Sequence, residues 1–219
     1  MSTSPRRAVL FDLGGVVFPS PFEAFDAHDA EIGVAPGTVR ALIRASSETG
    51  AWSLLERGEL TMDAFADALA AEAATAGFAL DARVLMARLG TAGGPRPSMV
   101  AAIATLRARG LRVGALTNNW HDAPGAGPHA APTGTAAAVA DLAFDAVVES
   151  AREGLRKPDP RIYALALERI GAVAEETVFL DDLGINLKPA RAMGMATIKV
   201  TDPFAALDEL AALVGFALR

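Results

Sequence analysis

The sequence predicts an α/β protein: a parallel sheet with helices packed on it, interrupted after its first strand by a long helical insertion. Three observations point to that class. Over the second half of the chain, short apolar runs alternate with helical patterns of about 8–14 residues, as in repeated βαβ units with right-handed crossovers. The run Ala8–Phe11 is apolar without alternation, which suits a strand buried on both faces. Between Pro19 and Pro95 the pattern is helical, with no strand signal.

The elements follow in order. The first strand runs from about Arg7 toward Asp12, and the Gly14-Gly15 pair ends it in a loop. Within the insertion the clearest helix opens at Thr61, an N-cap residue, with Leu60 placed to staple onto Phe65. Good helix formers continue to Ala76, and Gly93-Gly94-Pro95 closes the region. Ser98–Arg109 reads as a helix stopped by Gly110, Leu111–Leu116 as a strand, and Phe144–Val148 as another. Asp159-Pro160 pairs an N-cap with proline at N1 and opens a helix to about Ile170. Thr177–Leu180 is a strand, Asn186–Met193 a helix, and Ala196–Val200 the last strand. Asp202-Pro203 repeats the cap-plus-proline start for a helix ending near Gly215. Residues 121–135, rich in Gly, Pro and Ala, are the stretch expected to be least ordered.

Composition narrows the function classes. The chain has 219 residues, 48 of them alanine, so its 52% hydrophobic fraction overstates the number of large core side chains. A net charge of −6 argues against a general nucleic-acid binder. The absence of cysteine excludes disulfides, thiolate metal sites and a cysteine nucleophile. No apolar run approaches the ~18 residues of a membrane span. Arg6-Arg7 before an apolar run faintly resembles a twin-arginine signal, but Asp12 interrupts the run, so a cytoplasmic location is expected.

In open parallel sheets, ligands bind beyond the carboxyl ends of the strands. The predicted strands end on Asp12, on Thr117 with Asn118, and on Asp181 with Asp182; Lys157 lies in the loop before the Asp159-Pro160 helix. Carboxylate oxygens suit a hard cation such as Mg²⁺. A lysine and a hydroxyl suit phosphate oxygens, and a carboxylate in the same pocket can attack phosphorus.

Four segments then resemble, in order, the motifs of the haloacid dehalogenase (HAD) superfamily: Phe11-Asp12-Leu13-Gly14-Gly15-Val16, Leu116-Thr117-Asn118, Arg156-Lys157-Pro158-Asp159-Pro160 and Phe179-Leu180-Asp181-Asp182. The doublet Asp181-Asp182 with Asn186-Leu187-Lys188-Pro189-Ala190 is most similar to the phosphatase-type N-terminal domain of soluble epoxide hydrolase. The resemblance implies a Rossmann-like core of residues 1–17 and 97–219 and a helical cap of residues 18–96. It implies Asp12 as nucleophile and Mg²⁺ ligand, with Thr117 and the Asn118 backbone on the phosphoryl oxygens. Lys157 would neutralise the transferring group. Asp182, rather than Asp181, matches the metal-binding acid, and Gly14 would offer its carbonyl to Mg²⁺. Asp181 would lie behind the ligands; Asn186 would cap its helix or orient the site.

One position departs from the phosphatase pattern. Two residues after the nucleophile the family usually carries a second aspartate, which protonates the leaving group; here it is Gly14. General acid–base catalysis contributes about 10²–10⁴-fold, so the resemblance implies slow phosphatase activity, an acid from elsewhere such as His121-Asp122, or a different reaction. The leading reading is a Mg²⁺-dependent hydrolase of a small phosphorylated metabolite, acting as a monomer or homodimer. The alternatives are an L-2-haloacid dehalogenase and a non-catalytic relative that binds a ligand. Trp52 is read as packing inside the insertion, Trp120 as equally suited to packing or substrate, and His28 and His129 as surface residues.

Overall fold

The structure, a computed structural model, describes residues 5–89, 93–120 and 139–218. Five parallel strands form one sheet in the order β3-β2-β1-β4-β5: β1 Ala8–Phe11, β2 Arg112–Thr117, β3 Ala146–Glu149, β4 Thr177–Asp181 and β5 Ala196–Lys199. The four residues of β1 are fully buried at the sheet's centre. That is why this strand reads as continuous apolar sequence and not as an alternation.

The chain inserts five helices after β1: α1 Pro21–Glu31, α2 Thr38–Ala45, α3 Ala51–Glu56, α4 Met62–Thr75 and α5 Ala82–Leu89. It then returns through α6 Pro97–Ala108 to β2. The two ends of the insertion meet where Arg96 N donates to Val17 O at 2.8 Å. The short α7, Ser150–Glu153, follows β3; α8, Pro160–Ile170, precedes β4; α9, Gly184–Ala192, precedes β5; and α10, Pro203–Val214, ends the fold. Apolar clusters cover both sheet faces: α6 and α10 supply Ile103, Leu106, Leu207 and Leu210 to one, and α8 supplies Ile162, Tyr163 and Ala166 to the other. The inserted helices close over their own cluster around Phe25, Trp52, Phe65, Leu69 and Leu85.

Local signals act where the sequence puts them. The side chains of Thr61, Asp159 and Asp202 accept from Ala64 N, Arg161 N and Ala205 N and cap α4, α8 and α10. Leu60 packs against the cluster that contains Phe65. Trp52 is core of the insertion, in edge contact with Phe25, Phe65 and Trp120.

Three expectations need correction. The third strand starts at Ala146, not Phe144, because Asp145 occupies the entry: its N donates to Val113 O at 2.7 Å, and its carboxylate accepts from Val113 N at 2.7 Å. The helix expected at Asn186 starts at Gly184, because Asp181 Oδ1 accepts from Leu183 N and turns the chain two residues earlier. His28 is 2% exposed, inside the insertion, with neither ring nitrogen hydrogen-bonded; its position one turn after Phe25 on α1 carries it inward. The loop 121–135, with His121, Asp122 and His129, lies outside the described residues. No helix among the described residues is long and apolar enough to cross a membrane.

Candidate active site

The strand register gathers the predicted residues. Phe11 pairs with Ala115 on one side and Leu180 on the other. One residue on, Asp12 N donates to Leu180 O at 2.8 Å. The carboxyl end of β1 is thus flanked by Thr117 at the end of β2 and by Asp181 and Asp182 at the end of β4.

Asp12 is buried, with Oδ1 accepting from Leu13 N at 2.7 Å. Its Oδ2 faces Lys157 Nζ at 2.8 Å. Beyond it Leu13–Val17 makes one wide turn, closed by Phe18 N donating to Leu13 O at 2.8 Å. Gly15 holds φ 77° in that turn, and a Cβ there would stand 2.3 Å from Asp182 Oδ2. A side chain at residue 15 would therefore push Asp182 out of the site.

Lys157 is the buried hub. Its Nζ reaches Asp12 Oδ2 (2.8 Å), Asp181 Oδ2 (2.7 Å) and Leu116 O (3.0 Å), so all three ammonium protons are engaged. Burial alone would pull this ammonium down, but Asp12 and Asp181 outweigh it and hold Lys157 above its ordinary range. Asp181, fully buried, also accepts from Leu183 N (2.8 Å) and from Asn186 Nδ2 (3.1 Å to each oxygen). Asn186 therefore orients Asp181 and does not cap α9. Thr117 is buried, its hydroxyl 3.4 Å from Asn118 O. The Asn118 side chain spans the Lys157 main chain: Oδ1 accepts from Lys157 N (2.8 Å) and Nδ2 donates to Lys157 O (3.1 Å).

Asp182 differs from its neighbour. It is half-buried and makes no salt bridge among the described residues. Burial, then Asp181, pushes it up to about 6. Burial, reinforced by Asp181 and Asp182, likewise raises Asp12 well above the usual carboxylate range, against the pull of Lys157.

One oxygen each from Asp12, Asp181 and Asp182 lie within 4.8 Å of one another. Three carboxylates against one lysine leave an excess of negative charge in a buried site. That donor set and that charge fit a hard divalent cation such as Mg²⁺. Because Asp181 is already saturated by Lys157, Asn186 and Leu183 N, the carboxylates left for a cation are Asp12 and Asp182.

Two residues that the sequence reading passed over stand at this site. Glu56 on α3 accepts from Asn118 Nδ2 at 3.3 Å and from Arg156 Nε at 2.7 Å. Arg156 appears in the sequence only as a neighbour of Lys157, and Glu56 only as one acid on a helix. The signal for Glu56 was its i,i+4 spacing from Trp52, whose Nε1 it accepts at 2.9 Å.

The model of the haloacid dehalogenase-like hydrolase family matches residues 6–194. The chain is 38% identical over 217 residues to acyl-CoA dehydrogenase family member 10 of Mus musculus, covering 97% of this chain and 20% of that protein. It is 32% identical over 224 residues to bifunctional epoxide hydrolase 2 of Sus scrofa, covering 97% of this chain and 39% of that one. The chain thus spans well under half the length of these two relatives. It is 32% identical over 212 residues to the sesquiterpene phosphatase astK of Aspergillus oryzae, covering 95% and 97% of the two chains. Among solved structures, a HAD family enzyme from Bacteroides thetaiotaomicron in complex with magnesium and inorganic phosphate shares the fold, with TM-score 0.59, 22% identity, and coverage of 89% of this chain and 93% of that one. The order and strand-end positions of the four motifs, the sheet order and the family match agree: the chain belongs to the haloacid dehalogenase-like hydrolases.

Proposed function

We propose that this hydrolase is a Mg²⁺-dependent phosphatase of a small phosphorylated molecule, working through an aspartyl-phosphate. The observation that carries the reading is the Asp12 carboxylate, buried at the carboxyl end of the central strand with Lys157 on one oxygen and Asp182 close by. Phosphatase-named relatives, including the full-length match to astK, support the reaction class.

In this reading Asp12 attacks phosphorus, the bond to the ester oxygen breaks, and that oxygen leaves as an alkoxide that takes up a proton. Water then attacks the aspartyl-phosphate and returns Asp12 and inorganic phosphate. Lys157 pulls Asp12 toward its ionised form, against burial, and balances charge on the transferring group. Thr117 and the Asn118 main chain bind the phosphoryl oxygens. Asp12, Asp182 and the Gly14 carbonyl would hold Mg²⁺, which neutralises phosphate charge. The cation would also offset the carboxylate excess that otherwise favours protonated Asp12. Residues 18–96 act as the cap that closes over the substrate.

At Gly14 no side chain protonates the leaving oxygen, so esters with good leaving groups turn over fastest. The test is p-nitrophenyl phosphate hydrolysis with Mg²⁺ and with EDTA, alongside 2-chloropropionate. Turnover should require Mg²⁺, stop with EDTA, and fall to background in Asp12→Asn. Chloride release without metal, or unchanged activity in Asp12→Asn, overturns the reading.

A further inference from the structure

We propose that Glu56 is a positioning residue that seats the helical insertion on the core and, in the same contact, braces the catalytic lysine. The inference rests on the phosphatase reading only for its kinetic consequence.

Glu56 ends α3, and its side chain is only 9% exposed. A carboxylate that far from water needs partners for its charge and its lone pairs. It has one donor from its own layer, Trp52 Nε1 at 2.9 Å, and two from the core, Arg156 Nε at 2.7 Å and Asn118 Nδ2 at 3.3 Å. Arg156 immediately precedes Lys157. Asn118 clasps the Lys157 main chain on both sides, at 2.8 and 3.1 Å. One core donor to Glu56 is therefore the chain neighbour of Lys157, and the other is the side chain that clasps the Lys157 main chain.

Contact near α3 is close in the backbone as well. Gly58, with φ 70°, passes so near α7 that a Cβ there would stand 2.4 Å from Ala151 O. Among the described residues the insertion touches the core at the linkers joined by Arg96 N and Val17 O and at this node around Glu56, where Arg156 also pairs with Glu48 at 3.3 Å. Swinging the insertion about its linkers must part Glu56 from Arg156 and Asn118. The same movement removes one brace from Asn118, which then holds Lys157 less tightly. Seating of the insertion and alignment of Lys157 are in this way one event.

The chain's two tryptophans, Trp52 and Trp120, report on the node directly. Trp52 donates to Glu56, and the two rings stand 5.9 Å apart, one on each side of the boundary. The experiment compares the full chain with Glu56→Ala, Glu56→Gln, Arg156→Gln and the Glu56→Gln/Arg156→Gln double variant. It reads tryptophan emission and acrylamide quenching without substrate, then kcat and KM for p-nitrophenyl phosphate with Mg²⁺. Glu56→Ala should shift emission to the red and increase quenching. Its kcat should fall about tenfold, the scale of one lost hydrogen bond to a charged group, with a smaller change in KM. Glu56→Gln keeps an acceptor and should recover part of the loss. The double variant should be no worse than the poorer single variant, because the two residues act in one contact.

Unchanged emission and unchanged kcat in folded Glu56→Ala overturn the proposal, as does full additivity in the double variant. If Glu56→Ala does not fold, the Gln variants decide by the same criteria. Absence of Mg²⁺-dependent turnover in the unmutated protein overturns the phosphatase reading instead. The emission and quenching results then decide the seating role alone: a red shift supports it and no shift overturns it.

Discussion

Between Leu13 and Val16 two glycines stand side by side, and only one of them is required by its backbone. Gly15 needs a positive φ and leaves no room for a Cβ against Asp182. Gly15→Ala should therefore lower stability by about 1–3 kcal/mol and remove Mg²⁺-dependent turnover, as read by thermal unfolding and by the phosphatase assay. Gly14 has φ −64° and ψ 130°, which any residue adopts, and among the described residues a Cβ there would meet only Pro21 Cδ at 3.7 Å. The packing of the described residues leaves room for an aspartate at that point. Gly14→Asp should raise turnover of alkyl phosphates by about tenfold or more, within the reach of general acid catalysis, while p-nitrophenyl phosphate changes less. Equal effects on both substrates would show that another group already supplies the proton.

At the scale of elements, caps and strand ends carry the local information. The Thr61 side chain accepts from Ala64 N at 3.3 Å at the start of α4. Thr61→Ala should lower the unfolding free energy by about 1 kcal/mol and leave kcat unchanged, since α4 packs within the insertion and holds no residue of the site. A denaturant titration beside the phosphatase assay checks both halves. Helix α9 makes the contrasting case. Its start is set by Asp181 accepting from Leu183 N, not by a residue at its own N-cap, so its boundary was not legible locally. Asp145 shifts the start of β3 by the same kind of tertiary contact.

The whole molecule enters through its charge at the site. Asp182 lies at about 6 against an ordinary 3.8, so between those values the native state binds more protons than the unfolded chain. The stability contributed by this group is full below pH 3.8 and is lost as pH rises through about 6. Metal binding runs the other way, because a cation needs the ionised carboxylate. Proton competition at Asp182 alone should make Mg²⁺ binding about tenfold weaker at pH 5 than at pH 7. The rise in melting temperature on adding Mg²⁺ should shrink correspondingly. Calorimetric titration at pH 5, 6 and 7 measures this, and a pH-independent affinity would remove Asp182 from the ligand set.

The sequence by itself determined the fold class, the helical insertion after β1 and the set of residues at the strand ends. Each depends on signals a few residues long: the unbroken apolar run Ala8–Phe11, the Asp159-Pro160 and Asp202-Pro203 caps, and polar residues at the ends of apolar strands. The family resemblance already ranked Asp182 above Asp181 as the metal-binding acid, and the tertiary structure supplies a physical reason for that order. Asp181 points to Lys157 and Asn186 and is saturated, whereas Asp182 lies against Gly15 with a carboxylate free for a cation. It also decided that His28 is buried and that Glu56, 62 positions before Asn118, meets the segment holding Lys157. Contacts over such separations depend on how two layers dock, and no local periodicity or spacing encodes that docking.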